Sequence, residues 1–143
     1  MPSTFTATRR VEFSDTDLAG IVHFSRFFIY MESVEHEFLR SLGTSVVTEY
    51  EGDRIGWPRM SASCDYKAPA FFEDELEIVL RIERKGNKSL TYGFIFMRDE
   101  VTIATGQIGV ACCVCNPGEK MRAIEVPEEI AGQIQEAGVG SGQ

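Results

Sequence analysis

Residues 11–43, VEFSDTDLAGIVHFSRFFIYMESVEHEFLRSLG, decide the fold because the spacing of their apolar side chains changes in the middle of the stretch. Up to Phe13, apolar and polar residues alternate as they do in a half-buried strand. The large apolar residues then recur with the period of an amphipathic helix, at Phe24, Phe27, Phe28, Met31, Val34, Phe38, Leu39 and Leu42. The stretch therefore predicts a strand ending at Phe13, a short loop, and a long buried helix ending at about Leu42.

The loop between this strand and this helix carries two carboxylates and a glycine, at Asp15, Asp17 and Gly20. The first amides of a helix lack partners within the helix, and the helix dipole favours negative charge beside them. A carboxylate at such a place can act as a base or a nucleophile, and the free amides can stabilise an oxygen that becomes negative during a reaction. The residues therefore indicate an active site at this junction, without indicating which aspartate reacts.

Composition narrows the classes of protein to be considered. The 143 residues suffice for one domain, and 43% hydrophobic and 25% charged residues are ordinary for a soluble globular protein. The net charge of −8 argues against nucleic acid and anionic membranes as partners, because both attract basic surfaces. No segment has the length of a membrane span, and residues 1–10 contain no apolar run typical of a signal peptide. We therefore expect a cytoplasmic protein.

Three of the four cysteines lie in the apolar segment 108–116, IGVACCVCN, which has the composition of a buried strand. A free cysteine behaves as a small apolar residue in such a segment. The Cys-x-Cys spacing of Cys113 and Cys115 also permits a metal-binding interpretation, but no second pair of cysteines accompanies it. We expect structural thiols, with neither a disulfide nor a metal site.

The rest of the chain has mainly the alternating pattern of strands. Residues 44–52 carry a weak signal for a helical turn, and residues 53–58 have the Gly and Pro content of a loop. Strands are then predicted over 59–67, 75–84, 88–97 and 101–115. Pro127 is placed to open a final helix over residues 128–137, EEIAGQIQEA. We expect one domain over residues 1–137 and a disordered tail over 138–143.

This order of elements favours one architecture. Sequential strands joined by tight turns form an antiparallel meander, and the twist of a meander allows it to curl around a long apolar helix. The sequence therefore predicts an α+β domain in which an antiparallel sheet of about five to six strands wraps around one long central helix.

Residues 10–24, RVEFSDTDLAGIVHF, resemble the signature of the 4-hydroxybenzoyl-CoA thioesterase family, whose members have the hotdog fold. The signature consists of a basic residue, a branched aliphatic residue, four variable residues, Thr or Cys, Asp, two variable residues, Gly, an aliphatic residue and Val. Its fixed places are filled by Arg10, Val11, Thr16, Asp17, Gly20, Ile21 and Val22. Residues 121–127 also resemble the end of the hydroxybenzoyl enzyme, and the order of elements matches the hotdog fold over nearly the whole chain.

The resemblance implies hydrolysis of acyl-CoA thioesters without a metal or an organic cofactor. Asp17 occupies the place of the catalytic carboxylate, so it is expected to attack the thioester carbonyl or to activate a water that does so. The alternative is a loop aspartate that bonds local backbone or caps the helix. Backbone N–H groups near His23 and Phe24 would hold the carbonyl oxygen. Family members are dimers or tetramers with the active site at a subunit boundary, and we therefore expect a homodimer or a homotetramer.

Five further residues are candidates for supporting roles. Gly20 is expected to adopt a backbone angle, or to allow a close approach, that other residues do not. Asp15 is expected to bond loop amides rather than to react. His23 is either a general acid/base or a side chain at the helix start with no chemical role. Glu32 and Trp57 are candidate walls of the acyl pocket, with a solvated helix carboxylate and a packed loop residue as the alternatives.

CoA carries phosphates, so its binding site needs cations at the mouth of the pocket. The candidates are Arg84, Lys85 and Lys88, which surround the predicted Gly86-Asn87 turn, and Arg59 and Arg122 are reserves. A solvated hairpin tip is the alternative interpretation of this cluster.

Other functions stay open at this point. One is hydrolysis of thioesters on an acyl carrier protein, which the acidic composition disfavours because carrier proteins are usually acidic as well. Another is a hotdog domain that binds acyl-CoA without turnover. A hotdog dehydratase would have to use His23 together with a carboxylate, and the Asp17 signature argues against it. The identity of the acyl group is not predicted.

Overall fold

The computed structural model of the chain describes residues 1–138. Its elements in chain order are β1 (Thr4–Arg10), a 3₁₀ turn (Phe13–Asp15), α1 (Arg26–Ser41), β2 (Thr48–Tyr50), β3 (Asp53–Gly56), β4 (Arg59–Tyr66), β5 (Glu75–Lys85), β6 (Ser89–Arg98), β7 (Val101–Ala111), β8 (Cys113–Val114), β9 (Arg122–Ala123) and α2 (Glu128–Ala131). Within residues 1–138, neither helix is both long and apolar enough to cross a membrane.

The strands form two antiparallel sheets. The main sheet has five strands in the order β1, β5, β6, β7, β4, and the small sheet has four in the order β2, β3, β8, β9. Helix α1 packs on one face of the main sheet, where its Phe27 and Phe38 rings lie 5.2 and 6.2 Å from those of Phe96 and Tyr92. This arrangement confirms the predicted α+β hotdog architecture, in which a sheet wraps around one long helix.

Alternation of side chains along the strands determines which face of the main sheet meets α1. Every second residue is fully buried from Leu76 to Ile82 in β5 and from Leu90 to Phe96 in β6, namely Leu76, Ile78, Leu80, Ile82, Leu90, Tyr92, Phe94 and Phe96. Burial of a large apolar side chain contributes roughly 1.5–3 kcal/mol, so this face holds most of the driving force for folding. The predicted alternation in these two strands is confirmed.

Helix α1 approaches β7 closely at Gly106. A Cβ atom built on Gly106 would lie 2.5 Å from Sδ of Met31, which is fully buried in α1. The helix can therefore take this position only because the strand carries no side chain at that point.

The first predicted strand and the long helix are both shorter than expected. β1 ends at Arg10, and Phe13 is 77% exposed at the start of the 3₁₀ turn. Thr16 forms this turn by donating from its amide and its hydroxyl to the carbonyl of Phe13. Phe24 precedes α1 and is 62% exposed, although its spacing from Phe27 places it on the helical stripe.

Three later expectations are also wrong. Residues 48–56 form the hairpin of β2 and β3 rather than a helical turn and a loop. The predicted strand over 101–115 divides at Cys112, because β7 belongs to the main sheet whereas β8 pairs with β3 in the small sheet. The last helix is limited to Glu128–Ala131. Of the predicted tail, residues 139–143 lie outside the described residues.

Candidate active site

Residues 15–23, which we call the aspartate loop, form a narrow antiparallel hairpin before α1. At its base the amide of His23 donates to the carbonyl of Asp15 over 2.8 Å. Further along, the amide of Asp17 donates to the carbonyl of Ile21 over 2.8 Å, and the amide of Gly20 donates to the carbonyl of Asp17 over 2.9 Å. Asp17 therefore lies where the hairpin turns.

Gly20 allows this turn to close. Its φ of +82° lies in the left-handed region, which residues with a side chain rarely adopt. No atom lies within 4 Å of a Cβ built there, so the need for glycine is conformational and does not come from crowding. The expected backbone angle is confirmed.

Within residues 1–138, one carboxylate oxygen of Asp17 is held by the loop and the other has no hydrogen-bond partner. Oδ1 accepts from the amide of Ala19 over 2.8 Å and from that of Ile21 over 3.4 Å. The side chain is half-buried, so the loop fixes it without enclosing it. Such a carboxylate has a defined orientation and keeps one oxygen free to react.

This carboxylate lines a cavity of about 600 Å³. The wall is mainly apolar and is formed by Asp17, Ile21, Val22, Phe24, Phe27, Tyr66, Lys67, Ala68, Pro69 and Ala70. The Tyr66 ring lies 5.3 Å from that of Phe27, and its hydroxyl donates to the carbonyl of Phe24 over 3.0 Å. The cavity is therefore suited to an apolar group that presents a reactive carbon to Asp17.

Among the amides of residues 23–26, where the chain enters α1, one has no hydrogen-bond partner within residues 1–138. The His23 amide is bonded to Asp15, and the Ser25 amide donates to Nδ1 of the His23 ring over 3.2 Å. The Arg26 amide donates to the carbonyl of His23 over 2.9 Å. The amide of Phe24 has no hydrogen-bond partner in the described part of the chain, so the expected oxygen-binding amide narrows from two residues to Phe24.

The His23 side chain supports the helix start and does not line the cavity. Its Nδ1 lies 2.8 Å from the Ser25 hydroxyl, and its ring stacks on that of Phe24 with centroids 4.6 Å apart. These contacts favour the structural interpretation of His23 over a role as a general acid/base.

Both carboxylate oxygens of Asp15 have partners in the protein. Its Oδ2 accepts from the amide of Glu12 over 2.9 Å and from the hydroxyl of Tyr30 over 2.8 Å. Its Oδ1 lies 3.9 Å from Nε of Arg26. Burial, together with the bond to Asp15, raises the pKa of Tyr30 above its ordinary value, so the phenol stays protonated as a donor. Asp15 bonds a backbone amide as expected, but that amide belongs to Glu12, which lies before the predicted loop.

Glu32 and Trp57 do not line this cavity. The Glu32 carboxylate lies 3.2 Å from Nη2 of Arg59 and lines a separate cavity of about 230 Å³. Trp57 is 7% exposed and packs in the core. Within this chain, neither Glu32 nor Trp57 therefore forms part of the cavity wall beside Asp17.

The burial of Glu35 on α1 was missed from the sequence. Glu35 is fully buried, and both its oxygens accept from Arg59, over 2.9 and 2.6 Å. Glu35 lies four residues after Met31 and three before Phe38, on the apolar stripe of α1. That spacing was a signal of burial, because a carboxylate on the buried stripe requires a cationic partner.

The predicted CoA-binding cluster lies far from Asp17 within one chain. β5 begins four residues after Phe71, which forms a β-bridge with Ile21 of the aspartate loop, and Arg84, Lys85 and Lys88 lie at and beyond its other end. Eleven residues of strand separate the two ends by roughly 35 Å. The side-chain amine of Lys85 also donates to the carbonyl of Ile134 over 3.0 Å.

The two reserve cations are engaged elsewhere as well. Arg59 is bonded to Glu35, and Nη2 of Arg122 lies 3.5 Å from the carboxylate of Asp53. Lys67 is exposed on the wall of the cavity and was missed from the sequence. Its signal was its place directly after β4, in the Lys67-Ala68-Pro69 segment that interrupts the strands.

The four cysteines are free thiols. Cys112 and Cys113 are buried, and burial raises the pKa of Cys112 from 9.0 to about 11. Within residues 1–138, no three His, Cys, Asp or Glu side chains are grouped as ligands for a metal ion.

The sequence matches the Thioesterase-like superfamily over residues 11–134. The chain belongs to this superfamily. It is 30% identical over 126 residues to a putative esterase of Aquifex aeolicus, covering 88% of this chain and 94% of that protein. It is 27% identical to the 4-hydroxybenzoyl-CoA thioesterase of Pseudomonas sp., covering 90% of this chain and 96% of that protein.

Comparison with a solved structure supports the same family at the level of the fold. The 1,4-dihydroxy-2-naphthoyl-CoA thioesterase from Synechocystis has a TM-score of 0.75 and 27% sequence identity, and the match covers 88% of this chain and 91% of that one. The expected family, the hotdog fold and the class of thioester-hydrolysing enzyme are therefore confirmed.

Proposed function

We propose that this protein hydrolyses acyl-CoA thioesters to the free acid and CoA, with Asp17 as the reacting carboxylate. The observation that carries the proposal is the free Oδ2 of Asp17 beside an apolar cavity whose wall also includes Phe24, a residue whose amide has no hydrogen-bond partner within residues 1–138. A carbonyl placed between them would meet a carboxylate on its carbon and an N–H donor on its oxygen.

The Phe24 amide and the dipole at the amino end of α1 would stabilise the negative charge that develops on the carbonyl oxygen. Asp17 has two routes from this arrangement. As a nucleophile, Oδ2 attacks the carbonyl carbon, the C–S bond breaks, CoA leaves as a thiolate that takes up a proton, and water hydrolyses the resulting anhydride. As a general base, Asp17 takes a proton from a water that attacks the same carbon.

The wall of the cavity favours an aromatic acyl group. Phe24, Phe27 and Tyr66 offer rings on which an aromatic ring can pack edge to face or offset. Two of the related proteins named above act on aromatic acyl-CoAs according to their names. We therefore expect turnover to be faster with aromatic than with long aliphatic acyl-CoAs.

We further propose that the site is completed by a second copy of the chain in a cytoplasmic homodimer or homotetramer. β4 is an edge strand of the main sheet, and its Met60 and Tyr66 are 71% and 47% exposed. An unpaired edge of this kind is suited to strand pairing with another chain. Because Tyr66 and Lys67 also line the cavity, such pairing would place the site at the subunit boundary, with Lys67 near the CoA phosphates.

The proposal is tested by thiol release from a panel of aromatic, short-chain and long-chain acyl-CoAs at equal concentration. Hydrolysis predicts turnover well above the spontaneous rate, fastest with an aromatic member. Saturable binding without thiol release from any member would contradict the proposal and favour a non-catalytic acyl-CoA-binding domain. Matched acyl groups on CoA and on an acyl carrier protein, assayed side by side, separate the two thioester classes.

A further inference from the structure

The base of the aspartate loop is joined to α1 through a single residue. The Oδ2 of Asp15 accepts from the hydroxyl of Tyr30 in α1 and from the amide of Glu12. The backbone carbonyl of the same residue accepts from the amide of His23, on the opposite side of the hairpin. Asp15 thus connects both sides of the loop to the central helix.

Tyr30 provides a fixed point for this connection. It is 7% exposed, and its ring lies 6.2 Å from that of Phe27 and 6.3 Å from that of Phe96. These contacts fix the ring between α1 and β6, in the packed interior of the protein. The position of the Tyr30 hydroxyl is therefore set by the core and is independent of the loop.

The two groups of the proposed reaction lie close in sequence to the two ends of the Asp15–His23 hydrogen bond. Asp17 follows Asp15 by two residues, and Phe24 directly follows His23. A bond that fixes Asp15 against His23 therefore also limits how far the Asp17 carboxylate can move from the Phe24 amide. The separation matters, because a shift of about 1 Å in a reacting group can cost on the order of a hundredfold in rate.

We propose that Asp15 and Tyr30 are positioning residues for thioester hydrolysis, which hold the Asp17 carboxylate and the Phe24 amide at a fixed separation. This inference rests on the proposed function. Neither residue lines the cavity, so neither is assigned contact with the substrate. Their effect on the reaction passes through the geometry of the aspartate loop.

An Asp→Asn substitution distinguishes the positioning role of Asp15 from the reacting role of Asp17. Both bonds to the Asp15 side chain end on one oxygen, Oδ2, and a carboxamide oxygen can accept both of them. Asp15→Asn therefore keeps the anchor and loses only the 3.9 Å ion pair with Arg26. Asp15→Ala removes the anchor, and Tyr30→Phe removes its bond to the helix. At Asp17 the same Asp→Asn change removes the charge that the reaction requires.

The experiment measures kcat and KM on the best acyl-CoA, together with amide hydrogen exchange at His23. We expect Tyr30→Phe and Asp15→Ala to lower kcat by roughly tenfold to a hundredfold with KM within about twofold, and to speed exchange of the His23 amide. Asp15→Asn is expected to stay within about threefold of wild type in kcat, whereas Asp17→Asn loses activity. Tyr50→Phe, in the small sheet, is the matched control for loss of a phenol hydroxyl.

Each outcome bears on one of the two claims. The positioning role would be overturned if Tyr30→Phe kept both the kcat and the His23 amide exchange rate of wild type. It would also be overturned if Asp15→Asn lowered kcat as much as Asp15→Ala does. A wild-type protein that releases no thiol from any acyl-CoA would instead contradict the proposed function. In that case faster His23 exchange in Tyr30→Phe would still support the anchor, and unchanged exchange would overturn it.

Discussion

At the scale of single residues, the buried Glu35–Arg59 pair shows how much depends on one partner. Glu35 is fully buried on α1, and Arg59 reaches it from the start of β4 with two charge-assisted hydrogen bonds. Burial acts to lower the pKa of Arg59, but the hydrogen bond and the charge of Glu35 outweigh it and raise that pKa. Arg59 therefore stays charged, and removal of either member leaves the other without its partner.

Arg59→Met is expected to lower the free energy of unfolding by about 3–5 kcal/mol, because it leaves the Glu35 carboxylate buried without a cation. The matched control is Arg10→Met, which breaks the Arg10–Glu75 pair, whose two side chains are 62% and 65% exposed. That change should cost less than about 1 kcal/mol. Urea unfolding of both variants measures the difference, and equal losses would contradict this account of the buried pair.

The Cys112 thiol is expected to make the free energy of unfolding decrease at alkaline pH. Its pKa is raised by burial from 9.0 to about 11, so the folded state holds this proton more tightly than the unfolded state. The corresponding stability is fully present below about pH 9 and is lost as the pH rises through about 11, with a maximum of about 2–3 kcal/mol. Cys112→Ala should flatten the decline in the free energy of unfolding between these pH values. A decline identical to that of wild type would be inconsistent with this assignment.

At the scale of elements, close contact between α1 and β7 depends on a residue without a side chain. Gly106→Ala should destabilise the protein by roughly 1–3 kcal/mol, since the new Cβ meets buried Met31 on one side and the carbonyl of Ser63 at 3.2 Å on the other. Gly109→Ala on the same strand is the control, because its Cβ would meet mainly the movable hydroxyl of exposed Ser61. Urea midpoints compare the two, and equal destabilisation would contradict the packing argument.

The elements also show how far the sequence could predict the fold. Strands β5 and β6 were predicted closely because they lie inside the sheet and are buried on one face, so their side chains alternate. The hairpin over residues 48–56 was not predicted, because β2 and β3 are only three and four residues long and so are too short to show a clear alternation. The break at Cys112 is invisible to periodicity, since apolar residues continue on both sides of it.

The candidate site was predictable only where the contacts are local. The hydrogen bonds of the hairpin around Asp17 join residues at most eight apart, and turn chemistry together with Gly20 indicated a loop there. Lys67 and Tyr66 reach the same cavity from β4, roughly 50 residues further along the chain, and no local pattern links them to Asp17. Lys85 shows the limit in the other direction: its charge predicted phosphate binding, and within one chain its side-chain amine bonds the carbonyl of Ile134.

At the scale of the whole molecule, the free edge of β4 leads to a prediction about assembly. Light scattering after size-exclusion chromatography should give the mass of a dimer or a tetramer. Met60→Asp, which places a charge on this edge, should shift the protein toward monomer and lower activity, because the cavity beside Tyr66 would lose its second wall. Val101→Asp is the control, since Val101 is 46% exposed at the beginning of β7. A fully active monomer would contradict the proposed boundary site.

The central claim is that the Asp17 carboxylate splits a thioester whose carbonyl oxygen is held at the start of α1. The most direct measurement is single-turnover thiol release by Asp17→Asn, with excess enzyme over the best acyl-CoA, alongside a thermal melt. The account predicts at least a hundredfold slower release, with a melting temperature close to that of wild type. Release at the wild-type rate from the folded variant would contradict it.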